Sequence, residues 1–468
     1  MAKTAKTTKN QSQTKPPKEF QQKQFATKGS LKIFRAELMH CLSSIKIRAA
    51  ERSRLKHYKD CGLVVDETGV VVDLEDFKSI RTKYPKATLV EWKNSIIIPG
   101  FVDAHLHMPQ LNMIGAYGEN LLGWLKKYTF PTEADLGKNR DLSQAIAQQL
   151  MIELLRNGTT TAAIYTTVHG HTCDQTFMAA EQAGIRAIIG KVSMDRNAPR
   201  ALTMSAKRDL ELNEELIEKW HGKNSKLHYA ITPRFAPTST PLQLKMLGDL
   251  FQKTPGLYMQ THLSESRAEL EWVKKLYPKH RDYLSVYADN GLIGEKAIFG
   301  HAIHLRQNEI NRIEATHSAI CHCPSSNLFL GSGLCPITKY LEQGLNVALG
   351  SDIGAGTSLS LWRNLLDAYK IQQLAGASIS PSNLLYLATL GGAEALKMEQ
   401  RIGNLVPGKQ ADFQVLRWDR EELLARRMET EENAQQRLFA LITHADKHLV
   451  AATAIDGQLV FENGDLNT

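Results

Sequence analysis

The sequence predicts an α/β protein: a (β/α)8 barrel of the TIM type, with a small β-sandwich domain formed by the N- and C-terminal segments. Three observations point there. Eight short apolar runs rich in β-branched residues recur through the middle of the 468-residue chain. Segments of helical period separate them, and strand-like pieces stand at both ends. Strand–helix alternation repeated this way builds a barrel. An open doubly wound sheet would want a glycine-rich phosphate loop after its first strand, and none is there.

Residues 1–28 are Lys, Thr and Gln with almost nothing apolar to bury, so they cannot offset their ordering entropy and are expected to be a disordered basic tail. Residues 29–94 hold the strand-like pieces LKIFRAEL, GLVVD, GVVVDL and ATLVEW. Residues 405–468 hold ADFQVLRW and AATAIDGQLVFE, and the two sets are expected to pair into one small β domain. The barrel is expected over 95–404. Its first strand reads Ile96 to Val102, a short β-branched run that leads into His105 and His107. The other seven are TTTAAIY (159–165), RAIIGKVSM (186–194), LHYAITPR (227–234), GLYMQTHLSE (256–265), KAIFGHAIHL (296–305), HSAICHCPSSN (317–327) and NVALGSDIGAG (346–356). Between them, 142–156, 210–220, 242–251 and 359–374 carry helical period.

Bulk composition narrows the partners. The net charge of +8 suggests nucleic acid until it is located: residues 1–59 carry 15 Lys and Arg against three acids, leaving 42 bases against 46 acids in the remainder. The body is mildly acidic, which argues against a nucleic-acid surface. No apolar run reaches the length of a membrane span, and the first thirty residues contain no signal-peptide core. Six scattered cysteines fit free thiols in a reducing compartment, so a cytoplasmic protein is expected. Cys321-x-Cys323 has no second pair to complete a structural zinc site.

Barrel enzymes work at the carboxyl ends of their strands. There the first strand offers His105 and His107, the fifth His262 and Glu265, the sixth His301 and the eighth Asp352. Residues i and i+2 of a strand share a face, so His105 and His107 can grip one ion, and neutral imidazole suits zinc or iron. Each group alone has a plain structural explanation, a core imidazole or the Asx residue of a turn. Their joint placement at one end is what such explanations do not supply. His169-Gly170-His171 repeats the spacing but lies past the second strand, where a loop is the expected fate.

With these residues in place the chain resembles the amidohydrolase superfamily. Within it, the blocks PGFVDAHLHMPQ, KYTFPTE, NGTTTA, MDRNAP, TPRF, THLSE, HCPSSN, GSGLCP and ATLGGAEAL are similar to those of the guanine deaminases. The resemblance implies zinc-dependent hydrolysis of guanine to xanthine and ammonia, in a likeness that spans residues 30–465. It implies one Zn2+ per subunit, with Fe2+ as the alternative, held by His105, His107, His262 and Asp352. The strand ending Thr232-Pro233-Arg234-Phe235 offers no bridging group for a second ion. Glu265 would shuttle the proton, Asp352 help deprotonate the water, and His301 support the reacting centre. Gln110, Arg234, Phe235 and Trp124 would contact the base. A homodimer is implied too. The alternatives are another aminohydrolase of the superfamily, of adenosine or triazine type, and a non-catalytic scaffold that uses the basic tail.

Overall fold

The computed structural model describes residues 31–42, 55–118 and 120–463. The tail expected to be disordered over 1–28 lies outside them. Strands β1 (Lys32–Cys41), β2 (Leu55–Val65), β3 (Val71–Asp76) and β4 (Thr88–Pro99) come first. The barrel follows with β5 (Phe101–His107), β6 (Thr159–Tyr165), β7 (Arg186–Gly190), the two-residue β8 (Val192–Ser193) and β9 (Leu227–Pro233). It continues through β10 (Tyr258–Leu263), β11 (Ala297–His301), β12 (Ala319–His322) and β13 (Asn346–Leu349). Finally β14 (Phe413–Arg417), β15 (Val450–Ile455) and β16 (Gln458–Glu462) return to the start of the chain.

The barrel order is β5-β6-β7-β9-β10-β11-β12-β13, all parallel, with β8 as a short side strand on β9. The last seven of the eight expected strands are present, and the helices expected between them run Arg140–Arg156, Ala206–Trp220, Pro241–Lys253 and Leu361–Leu374. Val102, Ala104, Ala163, Ile188, Ala230, Tyr258, Ile298, Ala319 and Ala348 touch one another across the inside. The many alanines reflect how little room a closed eight-stranded barrel leaves. Their outward neighbours, such as Leu106, Ile164, Ile189 and Phe299, pack against the helices.

The ends of the chain form one seven-stranded mixed sheet, β16-β15-β14-β4-β1-β2-β3, that curls over a core containing Phe34, Leu63, Trp92 and Phe413. The sandwich arises because the sheet folds back: Val70 bridges Gln410, so β3 meets the segment leading into β14. Two helices, Glu422–Thr430 and Ala434–His444, stand between β14 and β15, where the sequence predicts only β structure.

One expectation needs correcting. Ile96 to Val102 is not a single strand. Ile96–Pro99 end β4 in the small sheet, with Ile98 opposite Gln414, and Phe101 opens the barrel. The change of sheet falls at Gly100, where a Cβ would lie 2.2 Å from Thr160 Oγ1, so a side chain does not fit. Its N–H goes to Asp412 O (2.8 Å) while the next, from Phe101, goes to Gly158 O (2.9 Å). The two bodies are also joined by a buried ion pair, Arg186 Nε to Asp412 Oδ2 at 2.7 Å, which Asp456 joins. No helix among the described residues is long and apolar enough to cross a membrane.

Candidate active site

Delivering two imidazoles into the barrel mouth takes a break in the pleat. Alternation that turns Val102 and Ala104 inward would turn His105 and His107 outward. The pairing of β5 with β6 shifts register between Asp103 and Leu106, and the alternation flips there. Leu106 then packs outside while both histidines face the centre. Bulges beside active sites commonly re-aim side chains in this way. The far side of the seam is tied by Asp103, whose Oδ1 accepts from Ser351 N (3.0 Å) and His105 N (3.3 Å). Asp352 N–H in turn donates to His105 O at 2.8 Å. These bonds, and not ladder pairs, join β5 to the end of β13 among the described residues.

His105, His262, His301 and Asp352 present ligand atoms that all lie within 4.8 Å of one another. His107 joins them, its Nε2 3.1 Å from His262 Nε2 and 3.3 Å from Asp352 Oδ1. His105 Nε2 is likewise 3.3 Å from Asp352 Oδ1. Ligands about 2.0–2.1 Å from a tetrahedral ion stand about 3.3 Å apart, so these separations fit a metal. The donor set is right as well. Of the atoms turned to the cluster, His105 Nε2 and His301 Nε2 are buried without hydrogen-bond partners, which suits a bound ion. Burial lowers His105, pushes His107 down to about 3 and holds His262 well below the usual imidazole range, so all three are neutral. Burial alone would raise Asp352, but His105 and His107 hold its carboxyl well below the usual range. His262 donates from Nδ1 to Arg234 O (2.7 Å), which turns its Nε2 lone pair to the centre.

Glu265 and His301 stand beside this cluster. His301 Nε2 is 3.5 Å from Glu265 Oε2 and 3.7 Å from Asp352 Oδ2, the oxygen turned away from His105 and His107. Asn327 Oδ1 accepts from His301 Nδ1 at 2.9 Å and fixes the ring. Burial, then the Asp352 charge, push Glu265 up to about 8, so its carboxyl can carry a proton near neutrality. Ser332 Oγ donates to Glu265 Oε1 at 3.1 Å, and Glu269 Oε2 accepts the Glu265 N–H at 2.8 Å.

A cleft of about 390 Å3 opens over these groups and is lined by Gln110, Trp124, Arg234, Phe235, Glu265 and His301, among others. All four residues singled out for substrate contact therefore line it. Arg234 is not a surface ion pair. It is 3 % exposed and donates twice from Nη1 to Glu133, at 2.7 and 2.9 Å. Phe235 meets Trp272 edge-on at 5.9 Å. Trp124 offers only its ring, because its N–H is spent on Ala116 O (2.9 Å).

The His-x-His repeat at 169 and 171 takes no part. It begins the helix Gly170–Ala183, where His169 bonds Thr167 and His171 bonds Leu136 O. All six cysteines are buried. Glu133, Asn327 and Ser332 went unassigned in the sequence. In the block KYTFPTE Glu133 is the one acid, which by itself reads as the solvated face of a helix; the HCPSSN and GSGLCP loops gave no signal that separates Asn327 and Ser332 from ordinary turn formers.

Comparison with known proteins agrees with the geometry. Residues 96–460 match the Amidohydrolase family. The chain is 42% identical over 437 residues to guanine deaminase of Escherichia coli (strain K12), covering 92% of this chain and 98% of that one. The solved E. coli guanine deaminase superposes with a TM-score of 0.88 at 40% identity, over 92% of this chain and 100% of that chain. A guanine deaminase from C. acetobutylicum, solved with guanine bound in its active site, gives 0.84 at 33% identity over 92% and 100%.

Proposed function

The chain belongs to the amidohydrolase family, and from that premise we propose that it is a guanine deaminase, a hydrolase that converts guanine and water to xanthine and ammonia. The observation that carries this is the convergence of a full His/Asp ligand set and the Glu265 carboxyl on one cleft. A chain alike along nearly its whole length to guanine deaminases supports the choice of base.

His105, His107, His262 and Asp352 would hold one ion, zinc by preference. Support comes from the 3.1–3.3 Å separations that link these four, two of them meeting at Asp352 Oδ1. When bound, the ion supplies hydroxide at neutral pH by lowering the pKa of a water to near 7. Glu265 takes one proton of the attacking water and delivers it to N3 of the base as C2 becomes tetrahedral; the water's second proton, leaving the new C2 oxygen, then reaches the departing amine through the same carboxylate. Asp352 helps take the proton from the attacking water. His301, held by Asn327, stands beside the reacting centre and orients the attacking water. Arg234 and Gln110 meet the O6/N1 edge, and Phe235 and the Trp124 ring pack on the purine.

Ammonia release from guanine, adenine, cytosine, S-adenosylhomocysteine and triazines, with metal content measured in the same preparation, is the test. Turnover of guanine above the others with about one zinc per chain is expected. Release from an adenosine-type substrate and not from guanine would overturn the assignment, and iron in place of zinc would overturn only the metal. The same resemblance supports a homodimer acting in purine catabolism, and cysteines that are few, scattered and buried favour a reducing cytoplasm. Sedimentation of the purified protein checks the first. Removal of residues 1–28 should leave turnover intact.

A further inference from the structure

Glu133 touches both polar groups that line the cleft's far wall. It is wholly buried, on the helix Phe130–Lys138, and Arg234 Nη1 donates to both its oxygens. Gln110 Nε2 points at Glu133 Oε1 from 3.5 Å. The Arg234 guanidinium also lies 5.7 Å from the ring of Phe130, one helical turn before Glu133. One short helix therefore grips the arginine by charge and by ring. The same segment supplies the cleft wall, since Leu121, Trp124 and Leu125 precede it, joined through a π-helical turn at Leu125–Thr129.

We propose that Glu133 is the positioning residue that makes this cleft read a 6-oxo purine and reject a 6-amino one. The inference rests on the assignment of guanine as substrate. A carboxylate accepts and cannot donate. By claiming one nitrogen of Arg234, it leaves the remaining guanidinium N–H groups as donors. By drawing in the Gln110 amide nitrogen, it leaves the Gln110 carbonyl as the acceptor. That carbonyl lies against Gly354, where a Cβ would come within 2.2 Å of it. The wall then presents a donor beside an acceptor. A lactam edge, with O6 accepting and N1–H donating, satisfies both. A 6-amino purine reverses the pattern at both atoms and leaves buried groups unpaired, the kind of mismatch that discriminates most strongly.

The test compares ammonia release from guanine and from 2,6-diaminopurine, which carries the same leaving amine at C2. Glu133→Gln, an isostere that can donate, should raise KM for guanine roughly 10–100-fold with kcat within about threefold. The guanine preference in kcat/KM should fall by a similar factor, with Glu133→Asp in between. In an Arg234→Met background, where Arg234 O still holds His262, adding Glu133→Gln should change the preference less than about threefold. Glu133→Asp, which leaves no buried charge unpaired, serves if Glu133→Gln does not fold. Competition of hypoxanthine and adenine against guanine in the unmodified protein is a second measure, with hypoxanthine binding at least about 100-fold tighter. Folded, metal-loaded Glu133→Gln with an unchanged preference would overturn the proposal, as would equal competition by the two bases or a full further loss in the Arg234→Met background. No guanine turnover by the unmodified protein would instead remove the functional assignment beneath it.

Discussion

Asp103→Ala should loosen the barrel seam and the metal site together. The carboxylate is fully buried, and one oxygen accepts two backbone N–H groups, from Ser351 on one side of the seam and His105 on the other. Truncation leaves both donors buried without a partner, at about 1–3 kcal/mol each, or about 2–6 kcal/mol in all. Against a typical total of about 5–15 kcal/mol that is a large fraction. The two orphaned peptides also carry or adjoin His105 and Asp352, so the ligand atoms lose registry, and affinity for the ion should fall by about 10–100-fold. Asp103→Asn keeps the shape and one carbonyl acceptor, and should lose much less of either. Denaturant unfolding followed by tryptophan fluorescence, with metal retention across a chelator series, measures both quantities. An Asp103→Ala protein that matched the parent within about 0.5 kcal/mol and held its metal equally well would refute the reasoning.

Glu265→Gln should keep about one metal per chain yet lose about 10²–10⁴ in kcat, while His105→Ala loses the metal itself; elemental analysis beside the guanine assay separates them. His40 should make the small domain acid-sensitive. Burial, then Lys409 and Lys56, hold its imidazole down to about 4, and its Nδ1 accepts from Leu405 N at 3.1 Å. Its folded pKa lies below the unfolded value of about 6.5, so the unfolded chain binds the extra proton between these limits. Stability is then full above about pH 6.5 and falls by roughly 3 kcal/mol by about pH 4. His40→Gln should flatten that part of the pH profile of unfolding. Arg186→Met strands Asp412 as a buried charge between sheet and barrel and should cost about 3–5 kcal/mol. Hydrogen exchange should show the loss first in β14 and β15.

The barrel was legible because its strands are short apolar, mostly β-branched runs, and four of them, β5, β10, β11 and β13, lead into residues able to bind metal or move a proton. The ligand types could be read for the same reason. What stayed hidden depends on chain geometry that composition does not encode. The register shift after Asp103 determines which way His105 and His107 face, yet no residue there announces a bulge. Pro99-Gly100 reads as an interruption within one strand, whereas contact with Thr160, sixty positions later, makes it the change of sheet. Glu133 looks like the solvated face of a helix until Arg234 is brought against it by the fold. Helices Glu422–Thr430 and Ala434–His444 were missed because the value of their apolar residues, Leu424, Met428, Leu438 and Leu441, depends on the main core they pack into, which only the fold brings to them.

The pairing of β4 with β14 has a consequence for biosynthesis. Ile98 lies opposite Gln414, 316 positions downstream, and at ribosomal rates of about 5–20 residues per second that partner emerges roughly 15–60 s later. Through that interval the apolar edge of β4 is open to any other strand in the cell, just upstream of the segment that will carry the first two imidazoles. Nascent chains should therefore depend on a chaperone until translation passes β14, and a stalled message ending before Phe413 should yield aggregate and not a small active enzyme.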